Sequence, residues 1–467
     1  MTDLATNPRA SMSEPGAARY WAFASMWAIA ELVHLLNQTR GRLTSVFEWL
    51  ALAAALSVMA KPTDVRRLIG LAVAQLVLLY WQAPLTADHA VLSAVGNIVI
   101  VFTFVWMRRS GPVSGPAVFA RSRSALRLSL LIAYSAAALA KYNSGFFEVV
   151  GSCASELADI ATFGIVDAEE TGAQALHVAA AVVPETIIPL LLIIPITRRF
   201  GVRFGILFHF FVSLSPALSV RDFTAALFVF FPLFLSDVEV DDLVRRWRER
   251  RDAREPNRFH RAILDIPRVP RWIGFGIVAG AAGWPAEILH FFAVYAVFTV
   301  YGARLLILGF STLRNAYPRE PLISRISVAQ VLVVLALLVH ASSPYIGLRT
   351  SSTFTMFSNL RTEGPSTNHY FFPSVHVIDL QNDLVVVVDS NLDTLPGVDE
   401  LGIQFPRFEI GHLLSQDPDG YVIERTGGVD VRLGAGGESI DPPGHLARKL
   451  FHFRPTATSD DRTYCSN

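Results

Sequence analysis

The sequence predicts a polytopic α-helical membrane protein, with about ten transmembrane helices and a C-terminal β-rich extracytoplasmic domain, on three observations. Hydrophobic residues make up 52 % of the 467 residues and charged residues only 17 %. The mean hydropathy of +0.40 fits a chain that buries its helices in lipid. Apolar runs of helix length alternate with short arginine-rich stretches, and from Pro344 onward the runs shrink to strand length with turn residues between them. The expected division is a cytoplasmic tail over 1–19, a transmembrane domain over 20–346 and an extracytoplasmic domain over 347–467.

The first nineteen residues are polar and carry no cleavable signal pattern. Trp21 to Leu36 is the first predicted span, and Glu31 and His34 sit three apart on one of its faces. Ionisable groups in such a segment face a bundle interior or a water-filled cavity. Val46 to Ala60, Leu68 to Ala83 and Val91 to Met107 follow, with Pro84 ending the third. Arg108, Arg109, Arg121, Arg123 and Arg127 then predict a basic, cytoplasmic loop. Leu126 to Lys141 is the fifth span, and the acidic stretch from Glu148 to Glu170 places its far end outside.

Ala173 to Ile196 is broken by Pro184, Pro189 and Pro195, with Glu185 beside the first of them. Phe204 to Leu235 is long enough for two short crossings, interrupted by Pro216 and Arg221-Asp222. Arg245 to Arg271, with ten arginines against four acids, reads as a cytoplasmic loop. Trp272 to Phe310 reads as a pair of crossings turning at Gly283-Trp284-Pro285, and Val328 to Ala341 as the last span. Beyond it, Tyr370 to Leu380, Leu384 to Asp389, Phe405 to Leu414, Tyr421 to Arg425 and Val429 to Leu433 read as strands, with turns at Asp417-Pro418-Asp419-Gly420 and Gly427-Gly428.

Formal net charge is zero, and the uneven placement of arginine reports topology. No nucleic-acid-binding motif appears, so no such partner is expected. Cys153 and Cys465 are the only cysteines; two thiols make neither a disulfide framework nor a metal site, and whether they pair is open. His177, His290 and His340 show no ligand spacing relative to one another, and no metal is expected.

Lys141 stands out. It is one of three lysines, with Lys61 and Lys449, among forty basic residues. Arginine keeps its proton in proteins, whereas a lysine at the hydrocarbon edge can become a neutral amine and act as a base. Asp88-His89 opens the fourth span at the same expected outer face. His209, on an otherwise apolar span, is expected to face inward. The run Arg349 to Gly364 is too polar for the membrane and too aromatic for an idle linker, and is placed at the outer mouth.

The run Ala140-Lys141-Tyr142-Asn143-Ser144-Gly145-Phe146-Phe147 resembles the lysine segment of the vitamin K-dependent γ-carboxylase family. Gly205-Ile206-Leu207-Phe208-His209-Phe210, Leu218-Ser219-Val220-Arg221-Asp222-Phe223-Thr224 and Phe231-Pro232-Leu233-Phe234-Leu235 resemble its histidine-containing helix and the phenylalanine-rich helix after it. Asp88-His89-Ala90-Val91-Leu92 is similar to its Asn-His-x-x-Leu segment. Bacterial relatives of this core are grouped as HTTM-domain proteins, and the resemblance covers roughly residues 20 to 360.

This resemblance implies that Lys141 deprotonates a reduced naphthoquinone of the vitamin K type and that His89 assists at the substrate carbanion. O2 and CO2 are the implied co-substrates, and an extracytoplasmic protein the implied substrate. Tyr142, Asn143, His209, Arg349, Met356, Asn359 and Arg361 are the candidates for holding substrate or quinone. Two positions depart from the family: Ala140 stands where the animal enzymes have a second lysine, and Asp88 where the family has Asn. The tail is also far shorter than the animal lumenal region. The expectation is a multi-pass protein of the inner (plasma) membrane, N-terminus cytoplasmic and C-terminal domain outside, that uses a membrane quinol. The alternative is a non-catalytic scaffold or transport component whose β domain binds an external partner.

Overall fold

The structure is a computed structural model that describes residues 16–38, 42–148, 151–165, 173–215, 218, 220–252, 284–392, 395, 403–426, 429–457 and 465. Eleven helices come first: α1 (Ala17–Gln38), α2 (Val46–Ala60), α3 (Val65–Gln82), α4 (Asp88–Arg108), α5 (Gly115–Ala140), α6 (Ser144–Phe147), α7 (Cys153–Thr162), α8 (Gln174–Ile193), α9 (Arg198–Val212), α10 (Arg221–Phe230) and α11 (Asp237–Asp252). Two further apolar helices follow, Trp284–Phe310 and Val328–Ser342. The tail carries β1 (Leu384–Ser390), β2 (Ile403–Pro406), β3 (Tyr421–Thr426), β4 (Val429–Gly434) and β5 (Thr456–Ala457). The chain forms two compact units: Met1–Trp81 with His89–Leu131 and Ile187–Leu335, and Gln82–Asp88 with Ile132–Thr186 and Ala336–Asn467.

Among the described residues, α4, α5 and α8 are long and apolar enough to cross a membrane, and Val46–Ala60, Val294–Phe310 and Val328–Ser342 are shorter apolar helices. About ten spans is therefore more than the structure supports. The reason is length: α9 has 15 residues and α10 has 10, against the roughly 20 a bilayer core requires. The Phe204–Leu235 run breaks into these two helices and a 3-10 turn at Phe231–Phe234. Trp284–Phe310 is helical from the expected turn onward; residues 253–283, and with them the first of the two expected crossings and most of the basic stretch, lie outside the described residues, as do Pro216 and Gly427-Gly428.

Apolar side chains stay exposed along single helix faces. On α8 these are Leu176, Val183, Ile187 and Leu190, continued by Ile194 just past its end, and on Val328–Ser342 they are Val328, Val331, Leu332, Leu335, Leu338 and Val339. Spacings of three, four and seven make these continuous stripes, and apolar stripes of that size are compatible with a lipid-facing surface.

The expected basic loop from Arg108 to Arg127 is a short turn, because α5 begins at Gly115 and carries Arg121, Arg123 and Arg127. Arg127 is fully buried. Its guanidinium donates to the carbonyls of Leu233 at 2.7 Å and Pro321 at 2.9 Å and approaches Glu320 at 3.4 Å. Arg203 donates to Glu239 at 2.6 Å and to Gly309 O at 3.0 Å. These arginines pin helix ends together inside the first unit, a role that charge counting along the chain does not distinguish from topology.

In the second unit the strands form an antiparallel sheet in the order β4-β3-β1-β2-β5. Val385 and Val387 of β1 point inward alternately, and Val387, Leu392, Leu395, Ile410, Val422 and Leu433 form the core beneath. The Asp417–Gly420 turn closes as expected, with Gly420 N donating to Asp417 O at 3.0 Å and Asp419 N to the Asp417 carboxylate at 3.1 Å. Two expected strands are corrected. Phe405–Leu414 is mostly the helix Arg407–Leu414, since a short apolar run carries no decisive period. Tyr370–Leu380 is irregular, ending in a 3-10 turn at Asp379–Gln381; its backbone bonds go to loops, Tyr370 N to Tyr142 O at 3.0 Å and Val375 N to Tyr345 O at 2.8 Å.

Candidate functional site

Lys141 follows the last residue of α5 and is 4 % exposed. Its Nζ lies 2.8 Å from Oε2 of Glu185 on α8 and 5.9 Å from the centre of the Phe146 ring. The local sequence fixes this position. Asn143 caps α6 by accepting the Phe146 amide at 2.9 Å, and donates to Ala140 O at 2.7 Å and Ser358 O at 2.5 Å. Those bonds turn the chain directly after Lys141. Phe146 packs with Cys153, Ala154, Val178 and Val182, and Cys153 is disulfide-bonded to Cys465, which closes the question the sequence left open.

The other expected residues of this unit have specific partners. The Tyr142 hydroxyl lies 2.9 Å from the Thr186 hydroxyl, the residue after Glu185. Asn359 accepts the Cys153 amide at 2.7 Å and donates to Gly151 O at 2.8 Å. Arg349 donates to Ser351 O at 2.7 Å and Pro84 O at 2.5 Å; burial pushes its guanidinium down to about 10, against the opposing pull of Glu409 and Asp88. Arg361 donates through its backbone to Asn368 at 2.8 Å and through its side chain to Ser366 at 3.2 Å. The backbone amides of Met356 and Phe354 face the Asp88 carboxylate.

Ser352, Phe354, Phe357 and Asn359 have φ of +57°, +62°, +52° and +52°. The left-handed residues bend the segment sharply where the Phe354 and Met356 amides face the Asp88 carboxylate. Such conformations cost roughly 1–3 kcal/mol each in a non-glycine residue. Buried Arg454 helps hold the segment, donating to Leu360 O at 2.8 Å and Thr355 O at 3.3 Å. The expected substrate-binding run is therefore a strained, tightly braced loop.

His89 belongs to the first unit. Its Nε2 lies 2.9 Å from Nδ1 of His34 and 3.4 Å from Oδ2 of Asp222. Helix packing produces this meeting. Gly96, seven residues beyond His89, sits so close to Trp27, seven residues before His34, that a Cβ there would lie 2.6 Å from the indole. The Trp27–Gly96 approach and the His34–His89 contact, seven residues apart on each helix, show that α1 and α4 run antiparallel. Beside them Glu31 accepts from Gln75 at 2.6 Å, and Gln75 accepts from Trp27 and Asn97, each at 2.9 Å. His209 is buried among Phe208, Phe223 and Phe231.

No protein-family model, curated protein or solved structure matches the chain.

A third cluster lies by the sheet. Glu409 Oε2 is 3.5 Å from His412 Nδ1 and 3.1 Å from His452 Nδ1. Burial opposes ionisation of Glu409, yet His412, His452 and the Phe453 amide outweigh it and hold the carboxyl down to about 2. Sequence reasoning noticed Glu185, His34 and Asp222 separately but could not pair them, and it missed Glu409, His412 and His452 altogether. Each group joins elements far apart in the chain. The only local signals were acids or histidines in apolar runs and the i, i+3 spacing of Glu409 and His412.

Proposed function

We propose that the chain is a multi-pass membrane enzyme that removes a proton from a reduced membrane quinone, with Lys141 as the base and Glu185 as the residue that takes the proton on. The observation that supports this is the buried Lys141–Glu185 pair at 2.8 Å. Glu185 accepts the proton of the Lys141 ammonium; the resulting amine takes the proton of a quinol hydroxyl and is an ammonium again. The net change is one proton gained by Glu185, with the quinol oxygen left against a cation. The 2.8 Å separation of Lys141 Nζ and Glu185 Oε2 is within the reach general acid–base catalysis requires.

The finer reading is that the Lys141 end of α5 faces outward, that the N-terminus is cytoplasmic and the sheet extracytoplasmic in the inner membrane, and that shorter apolar helices add crossings to α4, α5 and α8. Exposed aromatics at Tyr370, Phe371 and Phe372 suit a headgroup-level belt. Oxygenation of the quinol and addition of CO2 to a protein substrate rest on the γ-carboxylase resemblance alone. His89 is assigned to the same chemistry on that resemblance, as proton-transfer partner.

Purified chain in nanodiscs, supplied with a reduced naphthoquinone and O2, should oxidise it, and Lys141→Ala should cut turnover per folded molecule by roughly 10²–10⁴-fold. Full turnover in Lys141→Ala would refute the assignment. A non-catalytic scaffold is the second reading, supported by the way Asn143, Asn359 and Arg349 spend their polar atoms on backbone groups. It requires that Lys141→Ala be silent.

A further inference from the structure

We propose that His34, His89 and Asp222 form a binding site for one divalent first-row transition-metal ion, a two-histidine, one-carboxylate set inside the first unit. His34 comes from α1, His89 from the first turn of α4 and Asp222 from the first turn of α10. Their side chains are 12 %, 7 % and 2 % exposed. One atom of each can face a common ion.

The geometry favours an ion over protons alone. His34 Nδ1, His89 Nε2 and Asp222 Oδ2 form a triangle with sides of 2.9, 3.4 and 3.6 Å. A point about 2.1 Å from all three, the usual metal–ligand length, lies about 0.8 Å out of their plane. Adjacent ligands on such an ion are separated by about 3.0 Å in an octahedron and 3.4 Å in a tetrahedron. The two contacts to Asp222 are long for hydrogen bonds but ordinary for neighbouring ligands.

Proton counting points the same way. A single proton between the two imidazoles leaves Asp222 Oδ2 with the Gln38 amide as its donor and the two ring nitrogens 3.4 and 3.6 Å away, beyond ordinary hydrogen-bond length. A proton on each imidazole crowds two N–H donors at 2.9 Å. A cation in the middle satisfies all three lone pairs at once.

The surroundings also orient the ligands. Gln38 donates to Asp222 Oδ2 at 2.7 Å and the Phe223 amide to Oδ1 at 2.9 Å, the kind of outer contact that fixes a ligating carboxylate. Imidazole nitrogen with carboxylate oxygen suits Zn2+, Fe2+ or Co2+ over Mg2+ or Ca2+. Three protein ligands leave coordination positions open. The Glu409–His412–His452 cluster lacks this case, since the Arg349 cation already lies close enough to interact with Glu409.

Metal binding is measured without quinol, so the proposal stands or falls apart from the quinol reading. Full-length chain would be equilibrated with Zn2+, dialysed, and its metal counted per chain by mass spectrometry. The expected result is one tightly held equivalent, lost in His34→Ala, His89→Ala and Asp222→Asn and kept in His452→Ala, with about tenfold weaker retention in Gln38→Ala. Equal retention in all variants, or loss in His452→Ala alone, would overturn it. Because a change at a buried cluster can prevent folding, X-ray absorption of Zn2+-loaded His452→Ala protein gives a second reading that leaves the cluster intact. Imidazole scattering around zinc is expected, and its absence overturns the site.

Discussion

The chain buries cations in two ways. In the first unit Arg127 has its charge spread over the Leu233 and Pro321 carbonyls and Glu320, and Arg203 is held by Glu239, Gly309 and Arg199 O. In the second unit Lys141 meets one carboxylate and an aromatic face. A guanidinium pinned by several acceptors is a fixed structural charge. An ammonium against a single carboxylate can exchange its proton. The difference teaches that burial of a cation does not by itself mark chemistry; what matters is whether the partner can take a proton.

The sharpest way to break this contrast is to make Lys141 resemble Arg127. Lys141→Arg keeps the charge but cannot release a proton, so quinol oxidation should fall by roughly 10²–10⁴-fold, as far as in Lys141→Ala. Steady-state turnover near the wild-type level would show that only the charge matters. Arg127→Ala should instead act on the fold. Removing one partner of a buried ionic network costs about 3–5 kcal/mol, seen as a lower thermal midpoint in detergent with turnover per folded molecule unchanged.

Smaller effects test how the second unit is held. Cys153→Ser removes the link to Cys465 beneath Phe146 and should cost about 2–4 kcal/mol, a loss that reductant should reproduce in the unmodified chain. Acid should loosen the same unit. Glu409 has its carboxyl lowered from 4.5 to about 2, so its contribution is complete above about pH 4.5 and lost as pH falls through 2, about 3 kcal/mol in all. Glu409→Gln should flatten that part of the acid-unfolding profile followed by circular dichroism.

Much of the helical plan was legible. Val46–Ala60 is helical between the expected residues because Ser45 and Glu48 cap it reciprocally, Ser45 Oγ accepting at 3.2 Å and Glu48 accepting at 2.9 Å. The rarity of lysine was enough to single out Lys141, and three prolines flagged α8 without showing that Glu185 reaches it. Span counting failed where apolar runs form helices too short for a bilayer, as in α9 and α10. Tyr370–Leu380 was misread because its apolar residues serve loop contacts. No metal was expected from spacing along the chain, a test that does not see His34, His89 and Asp222 brought together from α1, α4 and α10. Gly96 leaves room for the Trp27 indole between the first two of these helices.

The central claim is that the quinol proton ends on Glu185. Infrared difference spectroscopy on addition of reduced naphthoquinone, with O2 excluded, measures this directly. A new protonated-carboxyl band should appear in the wild-type chain and be missing in Glu185→Gln. Bound quinol with no such band, or the same band in Glu185→Gln, would contradict the account.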